Sequence, residues 1–249
     1  MSVREQVFGE PGYSTDICLS AVELSFFRQA IYEQWLTRIA NQYPGFVDSF
    51  IKEGIQNYHY FSDQVNHAEL WQKRWRSLPQ KTVDVIKEFR FIKDLQKEFG
   101  SFSISSVVNE NVVTEGEEEI YWRLVRPGVA SDVGPLHADK WFHNLAGEYG
   151  MFPPGTTTVK IWLAINTEPN RNGLIVVPNS HTRNWKYNAV EKEGVVRPCI
   201  AEDVDALDTI LVPTESGRLI IFNERLLHGG SVNHGKETRI SAEITMVLQ

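Results

Sequence analysis

Apolar residues between positions 20 and 100 recur every three or four positions, the period of an α-helix that buries one face. The pattern starts where Ser20 and Glu23 match a capping box, which satisfies backbone donors at a helix start. The stripe that follows consists of Leu24, Phe27, Ile31, Trp35 and Ile39. Further helices are predicted at 46–55, 66–75, 82–88 and 92–99. We interpret as core the aromatic residues Tyr58, Tyr60, Phe61, Trp71 and Trp75.

After Gly100 the period changes to two, which is typical of β-strands. Strands are predicted at 101–108, 120–125, 160–166, 174–178, 217–223 and 239–248. The acidic run 115–119 predicts an exposed loop between the first two of them. Short strands separated by turns predict a sandwich or closed barrel. The chain is therefore expected to be mainly β, with flanking helices.

Composition and charge limit the class of protein. A chain of 249 residues, 42% of them hydrophobic, is expected to form a single domain spanning 1–249. No apolar run approaches the ~20 residues that span a bilayer, and the N-terminus lacks a signal-peptide core, so a cytoplasmic location is expected. The net charge of −7 disfavours a nucleic-acid partner. Cys18 and Cys199 require no disulfide framework.

The candidate chemistry begins at His137-Ala138-Asp139. On an extended strand, side chains two residues apart share a face, so His137 and Asp139 are expected to reach one ion. His228, far downstream, is the candidate third ligand. Two imidazoles and one carboxylate form the facial triad of non-haem Fe(II) sites, which leaves positions open for other ligands. A His-X-Asp tripeptide alone is weak, because a surface histidine beside a solvated carboxylate has the same pattern.

Arg239 lies eleven residues after His228, on the predicted last strand. This spacing returns the chain beside the metal. A planar guanidinium there could hold a carboxylate through two parallel hydrogen bonds.

The order of motifs resembles that of the phytanoyl-CoA dioxygenase-like Fe(II)/2-oxoglutarate oxygenases. After His-X-Asp come the strand that bears Trp162, then Asn-Gly-Leu-X-Val-X-Pro-X-Ser-His at 172–181. Phe-Asn-X4-His-Gly-Gly at 222–230 and Arg-X-Ser at 239–241 follow. The resemblance covers about 119–248, and the helical region before it more loosely.

The resemblance implies a double-stranded β-helix, the cupin-like jelly-roll, at about 101–249, with the N-terminal helices packed on one sheet. It implies that His137, Asp139 and His228 bind iron, and that Arg239, helped by Ser241, holds the distal carboxylate of 2-oxoglutarate. 2-Oxoglutarate would take two of the three open positions on the iron and O2 the third. The family's halogenases have a small residue in place of the aspartate, so Asp139 favours hydroxylation of an unactivated C–H bond, with release of succinate and CO2.

Two further residues are candidates for the cofactor site. Lys160 precedes Trp162 on a predicted strand and is expected either to face a carboxylate inside or to lie at a solvated edge. Asn223, five residues before His228, is expected to hydrogen-bond around the metal ligands. Arg123 and Arg126 fall on opposite faces, so at most one points inward. His143 and His234 are interpreted as non-ligands and His181 as structural.

The predicted loop 142–158 is long for a compact domain, so we interpret it as a lid over the site. The charged segment 185–208 is expected to cover the site or to provide a homodimer surface. A small-molecule substrate is expected, but neither segment identifies it. Two other classes remain open: a cupin-like metal-binding isomerase or sensor, against which Arg239 and Ser241 argue, and a catalytically silent binding protein, against which the intact triad argues.

Overall fold

The computed structural model describes residues 1–109, 112–145, 152–153, 155–192 and 195–249. Its α-helices are α1 Val3–Phe8, α2 Ala21–Gln42, α3 Val47–Glu53, α4 His67–Leu70, α5 Gln80–Lys87, α6 Arg90–Phe99 and α7 Asp139–Leu145. Short 3-10 turns separate several of them. Within the described residues, no helix combines the length and the apolar character needed to cross a bilayer.

The predicted start of α2 is confirmed. The Ser20 hydroxyl accepts a hydrogen bond from Glu23 N at 3.3 Å, and Ser20 N donates to Glu23 Oε2 at 2.6 Å. The second carboxylate oxygen of Glu23 accepts from Phe91 N at 3.2 Å, which ties α2 to α6. The capping box therefore also joins two helices of the layer.

The apolar stripe of α2 packs into the core of the helical layer. Phe27, Ile31, Trp35 and Ile39 are buried, and the Trp35 ring meets that of Phe50 edge-on at 5.7 Å. Phe50 stacks on Tyr58 at 5.8 Å. The core interpretation is wrong for Tyr60 and Trp75, which are exposed. The predicted helix 66–75 ends already at Leu70 and continues as a 3-10 turn.

The strands are β1 Tyr13–Ser14, β2 Phe102–Ile104, β3 Ser106–Asn109, β4 Val112–Glu118, β5 Ile120–Val125, β6 Thr158–Asn166, β7 Leu174–Val176, β8 Tyr187–Lys192, β9 Val195–Ile200, β10 Ile210–Leu211, β11 Leu219–Asn223, β12 His228–Gly230 and β13 Arg239–Leu248. The larger sheet has the order β1-β11-β6-β13-β2, and β5 also pairs with β13. The smaller sheet has the order β10-β7-β12. All these pairings are antiparallel, as are the hairpins β3-β4 and β8-β9.

Three expectations need correction. The described residues form seven α-helices and several 3-10 turns besides thirteen strands, so the fold is mixed rather than mainly β. The acidic run at 115–119 is not a loop: β4 extends through Glu118, and Glu119 is buried. The segment 185–208 contains the hairpin β8-β9, which none of the predicted strands covered.

The larger sheet separates two environments. On β13, the residues Ile240, Ala242, Ile244 and Met246 pack into the core shared with the helices. Because side chains alternate along a strand, Arg239, Ser241, Glu243 and Thr245 face the opposite side. On β6, Val159, Ile161, Leu163 and Ile165 likewise join the helical core, whereas Lys160, Trp162 and Ala164 face away from it.

The smaller sheet covers part of this second face. A second apolar cluster joins Trp162 and Phe222 of the larger sheet to Leu174 and Val176 of β7. The two sheets therefore pack through apolar side chains at one end. The charged residues of β6 and β13 line the remaining part of the space between them.

We expect Trp35→Ala to lower the free energy of unfolding by ~3–5 kcal/mol, because it removes a fully buried ring and leaves a cavity between Phe50 and Tyr58. Chemical denaturation monitored by circular dichroism measures this change. Val22→Ala, at an exposed position of the same helix, is the matched control and should change stability by less than ~0.5 kcal/mol. Equal effects of the two substitutions would show that the Trp35 contacts do not stabilise the layer.

Candidate metal centre

His137, Asp139 and His228 come together at the edge of the smaller sheet. His228 opens β12, and His137 pairs with it across an isolated antiparallel bridge. His137 N donates to His228 O at 2.9 Å, and His228 N donates to His137 O at 2.8 Å. Asp139 is the first residue of α7. The expectation that His137 and Asp139 lie on one extended strand is therefore wrong, since the turn into α7 brings the carboxylate beside the imidazoles.

The geometry suits a metal ion. One ligand atom from each of the three side chains lies within 4.8 Å of the others. His137 Nε2 is 3.8 Å from Asp139 Oδ1, and His228 Nε2 is 3.6 Å from Asp139 Oδ2. The other ring nitrogens face carbonyl oxygens, His137 Nδ1 that of Pro135 at 2.8 Å and His228 Nδ1 that of Leu226 at 3.0 Å. Protons on both Nδ1 atoms leave both Nε2 lone pairs for a metal.

The charge states also suit a metal. Burial, together with the neighbouring His228, lowers the pKa of His137 to about 4, so this imidazole is neutral. Burial acts to raise the pKa of Asp139, but the charges of Lys160 and the two histidines outweigh it, and the net pKa is lower than usual. An ionised carboxylate beside a neutral imidazole is the form that binds a divalent ion.

One carboxylate oxygen has no hydrogen-bond partner. Asp139 Oδ2 is buried and accepts no hydrogen bond within the described part of the chain. Lys160 Nζ lies 3.9 Å away, beyond hydrogen-bond distance. An unpaired buried carboxylate oxygen is costly, and a bound cation would remove that cost. The residues present therefore fit a metal ion.

A buried arginine lies in the same space. Arg239 Nη1 donates to Gly173 O at 2.6 Å and to Ser231 O at 3.3 Å, and its guanidinium lies 5.8 Å from the centre of the Trp162 ring. Burial lowers the pKa of Arg239 to about 10. Arg239 Nε and Ser241 Oγ have no hydrogen-bond partner among the described residues, and no carboxylate there pairs with Arg239. Both groups are therefore buried polar atoms whose hydrogen-bonding capacity the described residues leave unused.

Glycine at position 230 allows this arginine to approach. A Cβ there would lie 3.2 Å from Arg239 Nη2 and 3.3 Å from a methyl carbon of Val133. This contact is tighter than an ordinary van der Waals separation. The second glycine of the His-Gly-Gly motif thus leaves room for the guanidinium.

The two further candidates differ in where they lie. Lys160 points into the space between the sheets, where its ammonium donates to Thr245 Oγ1 at 2.8 Å and lies near Asp139. The described hydrogen bonds of the Asn223 side chain join it to Val7 O at 3.4 Å and Arg225 N at 3.0 Å, and none reaches the triad. Asn223 therefore ties the turn before His228 to α1, contrary to the expectation of a contact around the metal ligands.

The remaining sequence candidates are also placed. Arg123 points inward and pairs with Glu243, whereas Arg126 pairs with Asp132 at 2.7 Å, in agreement with the alternation. His181 is buried beside Gly12, and His234 is exposed. Of the predicted lid 142–158, residues 146–151 and 154 lie outside the described residues. Phe142 begins it and meets the His137 ring edge-on at 5.3 Å.

Sequence reasoning missed two acidic residues of this space. Glu243 accepts hydrogen bonds from Tyr121 and Arg123, and Glu119 pairs with Lys73 at 2.8 Å. The signal for Glu243 was present, because it follows Arg239 and Ser241 at intervals of two on one strand. Glu119 belonged to an acidic run that predicted a loop, which concealed it.

The sequence profile of the phytanoyl-CoA dioxygenase family matches residues 25–241. The chain belongs to this family. The match includes His137, Asp139, His228, Arg239 and Ser241. A search of curated proteins found no match.

Solved structures resemble the whole fold at low sequence identity. EvdO2 from Micromonospora carbonacea var. aurantiaca, complexed with 2-oxoglutarate, is 10% identical with a TM-score of 0.61, covering 99% of this chain and 90% of its own. SnoK, a non-haem α-ketoglutarate-dependent carbocyclase of nogalamycin biosynthesis, is 14% identical with a TM-score of 0.57, covering 99% and 83%. The epimerase SnoN, in complex with Fe3+, α-ketoglutarate and nogalamycin RO, is 15% identical with a TM-score of 0.54, covering 99% and 82%. These likenesses establish the fold.

We expect His137→Ala and His228→Ala each to abolish tight Fe(II) binding while the protein stays folded. The loss should exceed the ~10–100-fold that follows removal of a residue around the metal ligands, because a ligand itself is removed. Metal analysis after anaerobic dialysis measures bound iron, and circular dichroism checks the fold. His234→Ala, at an exposed histidine, is the control and should bind iron like the wild type. Unchanged iron content in both ligand variants would contradict the site.

Proposed function

We propose that this protein is a non-haem Fe(II)/2-oxoglutarate-dependent oxygenase that hydroxylates an unactivated C–H bond of a small molecule. The observation that carries the proposal is that a cluster suited to a cation and an arginine without an anion face the same space between the sheets. The His-Asp-His cluster has a buried carboxylate oxygen without a hydrogen-bond partner, and Arg239 has no anionic partner in the described residues. Membership of the phytanoyl-CoA dioxygenase family supports the same assignment.

We assign iron binding to His137, Asp139 and His228, and the distal carboxylate of 2-oxoglutarate to Arg239 and Ser241. Iron, 2-oxoglutarate and O2 would supply the oxidation of the substrate C–H bond, with release of succinate and CO2. EvdO2 and SnoN, with which the fold is shared, were solved with 2-oxoglutarate, and SnoN also with iron. The residues present here offer the donors that both groups require.

The protein's own contribution is to hold and orient the metal ligands and to shield the site from water. The carbonyls of Pro135 and Leu226 fix the two imidazoles, and Lys160 keeps Asp139 ionised. The Phe222 ring lies 4.5 Å from that of His228, and the apolar cluster around Trp162 keeps water from that side. In this family the cofactor performs the oxidation, while the protein positions the target bond.

The two sheets, packed through Trp162, Phe222, Leu174 and Val176, support the double-stranded β-helix arrangement for about 101–249. The helices pack on the outer face of the larger sheet through one continuous core. That continuity supports residues 1–249 acting as a single oxygenase domain.

Hydroxylation is one of several outcomes for this chemistry. SnoK is a carbocyclase and SnoN an epimerase, so the shared fold alone does not select among them. Asp139 supports hydroxylation over halogenation, because its carboxylate occupies the position that a halide would need. The alternative of a cupin-like isomerase or sensor supplies no anion for Arg239, which is buried and pairs with no carboxylate of the described residues.

Incubation with Fe(II), 2-oxoglutarate, labelled O2, chloride and pooled small metabolites tests the reaction. We expect succinate release and a product that gains one labelled oxygen atom. Asp139→Gly should lose this product, because iron loses its carboxylate ligand. Succinate release with an isomerised or cyclised product would show that the protein catalyses isomerisation or cyclisation rather than hydroxylation. A chlorinated product would contradict the role of Asp139. No consumption of 2-oxoglutarate with any pool would contradict the oxygenase itself.

Arg239→Ala should weaken 2-oxoglutarate binding about 10- to 100-fold, since charge-assisted hydrogen bonds contribute ~1.5–3 kcal/mol. Arg239→Lys should recover only part of the affinity, because an ammonium cannot reproduce two parallel hydrogen bonds. Calorimetric titration of the iron-loaded protein under anaerobic conditions measures the affinity.

Arg28→Ala is the matched control for this change. Arg28 also donates to a backbone carbonyl, that of Ile165 at 3.1 Å, but it lies on α2 at the outer face of the sheet. Its loss should leave 2-oxoglutarate binding unchanged. If Arg239→Ala bound 2-oxoglutarate as well as the wild type, the anchor would have to be another cation, and Lys160 would be tested next.

A further inference from the structure

A second arginine faces the space between the sheets. Arg123 of β5 lies opposite Ser241 of β13 in the sheet register. Its strand neighbours Trp122 and Leu124 belong to the core shared with the helices, so Arg123 points to the opposite side, toward the metal centre.

Two neighbours fix the orientation of this guanidinium. Arg123 Nε donates to Glu243 Oε1, and Arg123 Nη2 donates to Tyr121 Oη at 3.0 Å. The Tyr121 hydroxyl in turn donates to Glu243 Oε2. A guanidinium has five N–H donors, and these contacts use two of them. Within the described residues, Nη1 donates no hydrogen bond.

Arg123, Tyr121, Glu243, Lys73 and Glu119 form one wall of the space between the sheets. In each ion pair of this wall, the cation is more exposed than its carboxylate partner. The Arg123 side chain is 42% exposed, whereas its partner Glu243 is only 14% exposed. Lys73, 2.8 Å from Glu119, repeats the arrangement, with side-chain exposures of 39% and 8%. Because Arg123 points inward, its exposed surface lies inside the molecule rather than on its outer side. The accessible face of the wall is therefore positively charged, although the pairs are formally neutral.

Both cations lie beside the same aromatic ring. Lys73 Nζ is 5.1 Å from the centre of the Tyr121 ring, and Arg123 Cζ is 5.3 Å from the same ring. A purely structural ion pair would direct its donors to partners within the protein, as Arg126 does when three of its N–H groups and its own backbone contact Asp132 and Ser62. Arg123 instead keeps one edge of its planar group available. Such an edge suits two parallel hydrogen bonds to an oxyanion.

We propose that Arg123, assisted by Lys73, binds an anionic group of the substrate, a carboxylate or a phosphate, on this wall of the active site. The proposal rests on the proposed function, because it assigns the substrate class of the same site. Arg239 is reserved for 2-oxoglutarate, so Arg123 holds a second anion. The substrate would then be anchored at one end by this wall while its target C–H bond lies toward the metal.

Binding of simple oxyanions tests this inference without turnover. The protein is loaded with redox-inert Zn(II) and saturating 2-oxoglutarate, and it is titrated calorimetrically with inorganic phosphate and, separately, with acetate. We expect Arg123→Gln to weaken binding of the preferred anion by about tenfold or more, as expected for loss of charge-assisted hydrogen bonds. Arg123→Lys should retain part of the affinity, and Lys73→Gln should show a smaller loss. The anion that binds more tightly to the wild type identifies the substrate group.

Two controls show whether a change in anion affinity is specific to Arg123. Arg90→Gln removes an exposed arginine that pairs with Asp94 at 3.7 Å on α6, and it should bind the anions like the wild type. The affinity of Arg123→Gln for 2-oxoglutarate should also be unchanged. Equal anion affinity in wild type and Arg123→Gln, or no anion binding by the wild type, would overturn the proposal. A loss of 2-oxoglutarate affinity instead would reassign Arg123 to the co-substrate.

The same variants separate this inference from the proposed function. If the oxygenase assignment fails, wild type and Arg123→Gln alike release no succinate from any metabolite pool, yet the anion titrations still report on the wall. If only the anion inference fails, the wild type consumes 2-oxoglutarate, and anionic and neutral pools stimulate it in the same way in both proteins.

Discussion

The two-residue alternation of β13 is the constraint on which the site depends. One face of this strand, with Ile240, Ala242 and Ile244, closes the core shared with the helices. The other face holds Arg239, Ser241 and Glu243 in a row toward the smaller sheet. A slip of one residue would exchange the two faces, burying three polar side chains among apolar helices. Packing of the helical layer and placement of these three polar side chains are therefore set by one register.

The chemistry-bearing residues could be predicted from sequence because their types are rare in combination. His137, Asp139 and His228 are brought together as their order along the chain suggests, and Arg239 lies beside Trp162 on the face of the larger sheet opposite the helices. The local geometry of Asp139 could not be predicted so well. The His-X-Asp spacing predicts an extended pair, but an aspartate also favours the first turn of a helix, where its charge meets the positive end of the helix dipole. In this chain Asp139 begins α7 instead of extending a strand.

Charged residues caused most of the other differences. The acidic run 115–119 predicts a loop, and no strand is predicted in the charged segment 185–208, yet both stretches contribute strands to antiparallel hairpins. A hairpin strand with one face away from the core tolerates charge on that face, and an acidic run does not reveal this. The same bias concealed Glu119, because acidic side chains are seldom buried without a partner. Its partner, Lys73, comes from a distant part of the chain.

The space between the sheets is divided by polarity. At one end, Trp162, Phe222 and Val176 pack tightly and bring the two sheets together. At the other, burial depresses the pKa of Arg239, so the ligand-free protein bears a free-energy cost for holding this cation out of water. An anion bound beside the guanidinium would offset this cost. Its binding would then stabilise the folded state by an amount that rises with the anion's concentration relative to its Kd.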